Sequence, residues 1–147
     1  MLFRSDYAMP RATDLPSIVG LNPGVPTARN VLGGPLQGCS DRPRTGWFRD
    51  GCCNTDANDR GAHVVCVQVT AAFLAFSQRV GNDLSTPAPQ YGFPGLKPGD
   101  RWCVCAARWV EAHEAGCAPL LVLESTHERM LDYAPLDTLR QHAVGVN

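Results

Sequence analysis

The chain lacks a charge excess: 13 basic residues against 14 acidic ones leave a formal net charge of -1. Such a balance carries no electrostatic footprint for a nucleic acid or for an anionic membrane surface. No apolar run reaches the length that spans a bilayer. The opening Met1-Leu-Phe-Arg-Ser-Asp-Tyr7 lacks the continuous apolar stretch of an export signal, so a cytoplasmic location is expected. Charged residues, at 18%, fall below the globular average, whereas apolar residues, at 44%, are close to it. Internal repeats and low-complexity tracts are missing. The 147 residues suffice for one domain with its own core.

What the chain does have is cysteine, seven in all: Cys39, the adjacent Cys52 and Cys53, Cys66, the Cys103-Val104-Cys105 group, and Cys117. Disulfide-framework domains are usually shorter, exported and even in cysteine count. An odd count without an export signal makes reduced thiols, open to metal or redox chemistry, the default expectation.

Residues 1–28 contain Pro10, Pro16, Pro23 and Pro26 without periodicity and read as an irregular extension before a compact domain at 29–147. Residues 30–59 are dense in turn signals, which leave room only for short strands. His63 to Val69 is β-branched and apolar, a strand. Thr70 caps a helix over 71–80, with Gly81 as its stop. Residues 82–100 form a long loop with four prolines and three glycines, and loops of that length are often functional. A strand over 102–105, a helix over 106–115 ended by Gly116, and a strand over 119–124 follow. Ser125 and Glu128 have capping-box spacing, which predicts a helix through Tyr133, and a last short helix covers 137–143. The fold class is therefore α+β: a small mixed β-sheet with helices packed mainly on one face.

On a strand, Cys103 and Cys105 share a face, which suits a common metal ion better than a mutual disulfide. Adjacent residues in a turn diverge, so one of Cys52 and Cys53 can join them. Zinc or iron would then take ligands from Cys39, Cys52, Cys53, Cys103 and Cys105, with His63 or His127 as a further donor. The C-x2-4-C spacing common in structural zinc sites is absent. His63 and Cys66 fall on opposite strand faces and are not expected to act together; Cys66, in its valine run, reads as core. His127, just past a strand end and at a helix start, is expected to be neutral and able to act as base or ligand. Any of Cys52, Cys53, Cys103 or Cys105 beside it would make a Cys-His nucleophile. His113 and Trp109 lie one turn apart on a helix, and His142 is expected to be solvated. Asp50, Asn82, Asp83 and Asp100 flank the cysteine groups or sit on the long loop; with His127 they form the candidate pocket, where segments 30–60 and 82–100 converge.

Five strings carry a resemblance: Asn30-Val-Leu-Gly-Gly-Pro-Leu, Thr45-Gly-Trp-Phe-Arg-Asp-Gly-Cys-Cys-Asn-Thr, Gly81-Asn-Asp-Leu-Ser-Thr-Pro, Phe93-Pro-Gly-Leu-Lys-Pro-Gly-Asp-Arg-Trp-Cys, and Cys105-Ala-Ala-Arg-Trp. Over about residues 30–143 the chain resembles the bacterial domain-of-unknown-function family numbered 2237. The resemblance implies a small, single-domain, soluble α+β protein and brings no established activity to carry over. It suggests that Cys39, Cys52, Cys53, Cys103, Cys105, Asp50, Asn82, Asp83, Asp100 and His127 belong to the family's motifs, without roles.

Three functional classes follow. A thiolate metal centre ranks first; an enzyme with a cysteine nucleophile or redox-active thiols comes second; a binding module with core cysteines comes third. The partner is a small molecule or a protein.

Overall fold

Val65 and Val67 are fully buried on one side of an extended segment, and Cys66 is fully buried on the other. A strand covered on both faces needs apolar residues at every position, and the valine-rich run supplies them. This segment, β1 (Val65–Gln68), is the centre of a three-stranded sheet in the computed structural model, which describes residues 28–145. The irregular extension expected over 1–28 lies, apart from Ala28, outside the described residues.

β1 pairs antiparallel with β2 (Arg101–Val104) on one edge and with β3 (Leu120–Leu121) on the other. The expected mixed character of the sheet is confined to a single parallel bridge, Leu121 to Ala143. The β1–β2 register places Cys66 directly opposite Cys103 and Val67 opposite Trp102. Side chains alternate along a strand, and the two faces have different fates. Val65, Val67, Trp102 and Val104 enter the main core with Phe73 and Leu74 of α1 (Ala71–Arg79) and with Ala106 and Trp109 of α2 (Ala106–Glu114). Cys66 and Cys103 enter a second cluster with Cys39, Cys53 and Val122. Helices thus cover one face, and the turn-rich segment covers the other.

That turn-rich segment has no long strand of its own and is stapled down instead. Cys39 is disulfide-bonded to Cys66, and Cys53 to Cys103, across Cα separations of 5.7 and 5.4 Å. The expectation of uniformly reduced thiols fails here for a topological reason. Two cysteines that are register partners on one sheet face each meet a cysteine delivered by the covering loop. Cys52, Cys105 and Cys117 remain free thiols, all partly exposed.

Local capping follows the sequence in part. Thr70 Oγ1 accepts from the Phe73 N–H at 3.1 Å and starts α1. Gly81 and Gly116, at φ of 90° and 77°, turn the chain beyond α1 and α2. The helix expected from Ser125 is replaced by two 3₁₀ turns, Leu123–Ser125 and Glu128–Asp132. The reason is competition for hydrogen bonds. Ser125 Oγ donates to the Gly38 carbonyl at 2.8 Å, and the Glu128 N–H goes to the Arg29 carbonyl. The capping-box partners are each taken by a distant loop. The third strand covers only Leu120–Leu121, and a 3₁₀ turn begins at Leu123. The last helix, α3, runs over Leu136–Arg140. His142, expected in solvent, is half-buried, its ring 5.3 Å from Trp109 and 5.0 Å from His113. The anticipated Trp109–His113 neighbours stack at 5.1 Å.

Candidate functional site

β2 ends at Val104, so Cys105 lies one residue past the strand and is the N-cap of α2. Cys103 and Cys105 therefore do not present two free sulfurs side by side. Cys103 is turned into its disulfide with Cys53, whereas Cys105 caps a helix whose first turn receives no side-chain capping bond.

The loop before β1 is built around Asp59. Its carboxylate is buried, and Oδ2 accepts from Thr55 Oγ1 at 3.0 Å and from the His63 N–H at 2.9 Å. Oδ1 takes the His63 Nδ1 at 2.6 Å. Ala62, in the left-handed region at φ 50°, bends the chain between them, and its carbonyl accepts the Ala106 N–H at 2.9 Å. That bond ties the Asp59–His63 loop to the first residue of α2, next to Cys105. Gly61 marks how close the parts lie: a Cβ there would sit 3.1 Å from Cys105 Sγ and 3.1 Å from His63 Cε1.

The charges follow from this geometry. Burial alone pushes the His63 pKa down, but its hydrogen bond to Asp59, its interaction with the nearby Cys105 and the charge of Asp59 outweigh it and raise it to about 9. Burial pushes Asp59 up, and its bonds to His63 and Thr55 outweigh that and hold its carboxyl below the usual range. Nδ1 is committed to Asp59, so Nε2 is the ring nitrogen that Asp59 does not occupy. The order Asp, His, nucleophile is that of thiol and serine catalysts on many unrelated folds.

His63 and Cys105 open onto a cavity of about 550 Å³, within the range of small-molecule sites. Trp47, Tyr91, Phe93 and Trp102 supply aromatic wall. Trp47 lies parallel to the His63 imidazole at 5.8 Å, and Phe93 meets Trp102 edge-on at 5.2 Å. Asn82 and Asp83, expected at the pocket, line it. Asp83 is tied up by its own loop, with Oδ1 accepting from the Ser85 and Thr86 N–H groups and Oδ2 from Thr86 Oγ1 at 2.6 Å. The long loop of residues 82–100 and the turn-rich segment do converge on the cysteines, at this cavity.

Other candidates lie elsewhere. Asp50 Oδ1 caps a turn at the Cys52 N–H, and Asp100 Oδ2 caps one at the Lys97 N–H; neither lines the cavity. His127 is also off the cavity lining. Its Nδ1 accepts from the Arg129 N–H at 3.0 Å, and burial pushes its pKa down. Cys52 is half-buried, and burial together with the charges of Asp50 and Asp41 pushes its thiol up, against thiolate chemistry. Cys39, Cys53 and Cys103 place their sulfurs within 4.8 Å of one another, all buried.

Asp59 was the residue sequence reading missed. It reads as one more turn residue, and its signal is spacing alone, four positions before a histidine that opens a strand. The roles of Trp47 and Tyr91 carry no signal in linear sequence.

Fold and site together define a small α+β domain with a disulfide-stapled sheet face and a cysteine–histidine–aspartate constellation in a cavity. The chain belongs to the DUF2237 family, described as an uncharacterized protein conserved in bacteria, whose sequence profile matches residues 29–143. A comparison with curated proteins found no match. Among the described residues, no helix is long and apolar enough to cross a membrane.

Proposed function

We propose that the protein is a thiol enzyme in which Cys105 is the nucleophile, His63 its proton-transfer partner and Asp59 the group that orients His63. The observation that carries this reading is the 2.6 Å bond from His63 Nδ1 to a buried Asp59, on an imidazole that also faces Cys105. An imidazole beside a sulfur can take its proton, and the deprotonated sulfur is the nucleophilic form. The nucleophile would attack an electrophilic carbon of a small molecule held in the aromatic cavity, and His63 would return the proton to the leaving group. Limited alkylation with iodoacetamide at neutral pH, followed by peptide mapping, tests this. Cys105 should be modified first, well ahead of Cys52 and Cys117; equal rates at all three would end the proposal.

A second reading, a thiolate metal centre, has its own support. The Cys39, Cys53 and Cys103 sulfurs lie within 4.8 Å of one another, and a tetrahedral zinc or iron site needs ligands about 2.3 Å from a common point. Both disulfides must open for it. A cytoplasmic location would keep these sulfurs reduced, whereas an oxidising compartment would keep the bonds. Elemental mass spectrometry on protein purified with reductant and no chelator decides: near one equivalent of zinc or iron supports the centre, and none removes it. In this reading too Cys105 lies outside the cluster, so the two are independent.

A further inference from the structure

The cavity restricts the kind of ligand Cys105 can meet, and the inference rests on the thiol-enzyme reading only for what happens after binding. Fifteen of the described residues line it, with no lysine or arginine among them. Its acid, Asp83, already accepts from three donors on Ser85 and Thr86. Its cation, His63, is committed to Asp59 and Cys105. A phosphate or carboxylate entering here would lose hydration and meet only a cation already shared between Asp59 and Cys105, and an ammonium group would meet only a carboxylate already holding three donors. The walls instead offer ring surface: Trp47 lies parallel to His63, and Phe93 is edge-on to Trp102. Flat aromatic ligands gain both burial and offset stacking from such walls. One polar group stands ready as well. The Asn82 backbone carbonyl accepts from Ser77 Oγ, but its half-buried side-chain amide is engaged by no other described residue. An amide presents an acceptor and donors side by side and suits a ligand with the matching edge.

We infer that the cavity binds an uncharged, planar nitrogen heterocycle or aryl amide, stacked on its aromatic walls and read along one edge by Asn82. Charged analogues of the same ring are the ligands it excludes. The wrong partner would cover the half-buried Asn82 amide without pairing it, which is the source of the discrimination.

The three tryptophans make the test internal. Trp47 and Trp102 line the cavity, whereas Trp109 is fully buried in the main core with its Nε1 donating to the Pro119 carbonyl at 3.3 Å. Protein labelled with nitrogen-15 is titrated with nicotinamide, hypoxanthine and uracil, and in parallel with nicotinate, orotate and 3-(aminomethyl)pyridine, reading the indole N–H signals by NMR. At least one uncharged probe should shift Trp47 and Trp102 with half-saturation below about 1 mM, a modest affinity for a ligand of this size. Trp109 should stay fixed, the charged analogues should bind at least tenfold more weakly, and Asn82→Ala should weaken the uncharged probe about tenfold. The titration is repeated on Cys105→Ala. Shifts that persist there establish the ligand class whatever the alkylation experiment shows. No shift at Trp47 or Trp102 from any uncharged probe, equal binding of the charged analogues, or an equal shift at Trp109 would overturn the inference, and would leave preferential alkylation of Cys105 standing by itself.

Discussion

Asp59 and His63 are joined twice: the carboxylate takes the imidazole Nδ1 at 2.6 Å and the backbone N–H of the same histidine at 2.9 Å. The ring retains 22% of its side-chain exposure while the carboxylate has none. One partner is therefore structural, and the other is held at the cavity wall. A buried carboxylate is tolerable only with its hydrogen bonds complete, and Thr55 supplies the third. The pair fixes His63 at the cavity wall, which is the kind of preorganisation that the proposed acid–base role requires.

Removing the orienting group should separate reactivity from folding. Asp59→Asn keeps the shape and the acceptor to the His63 N–H but loses the negative charge behind the ring. The rate constant for iodoacetamide at Cys105 should fall about tenfold or more, and His63→Ala should match it. Near-ultraviolet circular dichroism checks that the fold survives. An unchanged alkylation rate in a folded Asp59→Asn protein would show that His63 acts without its carboxylate.

The pH dependence of stability has a definite sign. His63 has its folded pKa raised to about 9, above the unfolded value of about 6.5. Folding therefore favours the protonated ring, and this contribution is complete below about pH 6.5 and is lost as pH rises through about 9. Asp59 runs the other way: its folded pKa is depressed, so its contribution is present above the unfolded value of about 4 and is lost as pH falls. Melting temperature against pH should show a plateau between these limits and decline on both sides. In Asp59→Asn the alkaline decline should flatten; an identical alkaline slope would mean that another group governs it.

The staples should matter by chain entropy. The disulfides close loops of 27 and 50 residues, for which loop-closure arguments give about 3.5 and about 4 kcal/mol respectively. Cys39→Ser with Cys66→Ser and Cys53→Ser with Cys103→Ser should each lower denaturant stability by an amount on the order of 2–4 kcal/mol. Only the second pair includes a cavity residue, Cys103, so it alone should also slow alkylation at Cys105. Equal stability of reduced and oxidised protein would remove the stapling role.

The sequence revealed the elements better than it revealed their meetings. Thr70 as a cap, Gly81 and Gly116 as stops, and the strands around Cys66 and Cys103 are local features, set by propensity and turn chemistry within a few residues. The family strings identified the chain on the same local footing. The Cys39–Cys66 and Cys53–Cys103 bonds depend on the β1–β2 register, which is established across α1 and the long loop between them, and no local pattern encodes that. The capping box at Ser125 failed for the complementary reason: Gly38 and Arg29, far away in sequence, captured its groups. Asn82 and Asp83 were legible as cavity residues because their proline-rich loop runs directly into Trp102. Asp59 was illegible because a buried carboxylate and a solvated turn aspartate look alike until the histidine folds back on it.

Gly61 offers the sharpest geometric test, because it has no chemistry of its own. An added methyl would stand 3.1 Å from both Cys105 Sγ and His63 Cε1, a separation tighter than ordinary van der Waals contact. Room can be made only by moving the sulfur, the imidazole or the loop by a few tenths of an ångström. If catalysis depends on the approach of Sγ and Nε2, Gly61→Ala should slow alkylation of Cys105 about three- to tenfold, since small displacements of reacting groups carry large rate penalties. The residue is solvent-exposed, so the melting temperature should shift little. A folded Gly61→Ala protein that alkylates at the wild-type rate would place the sulfur and the imidazole in independent roles, and the constellation would lose its claim to act as one unit.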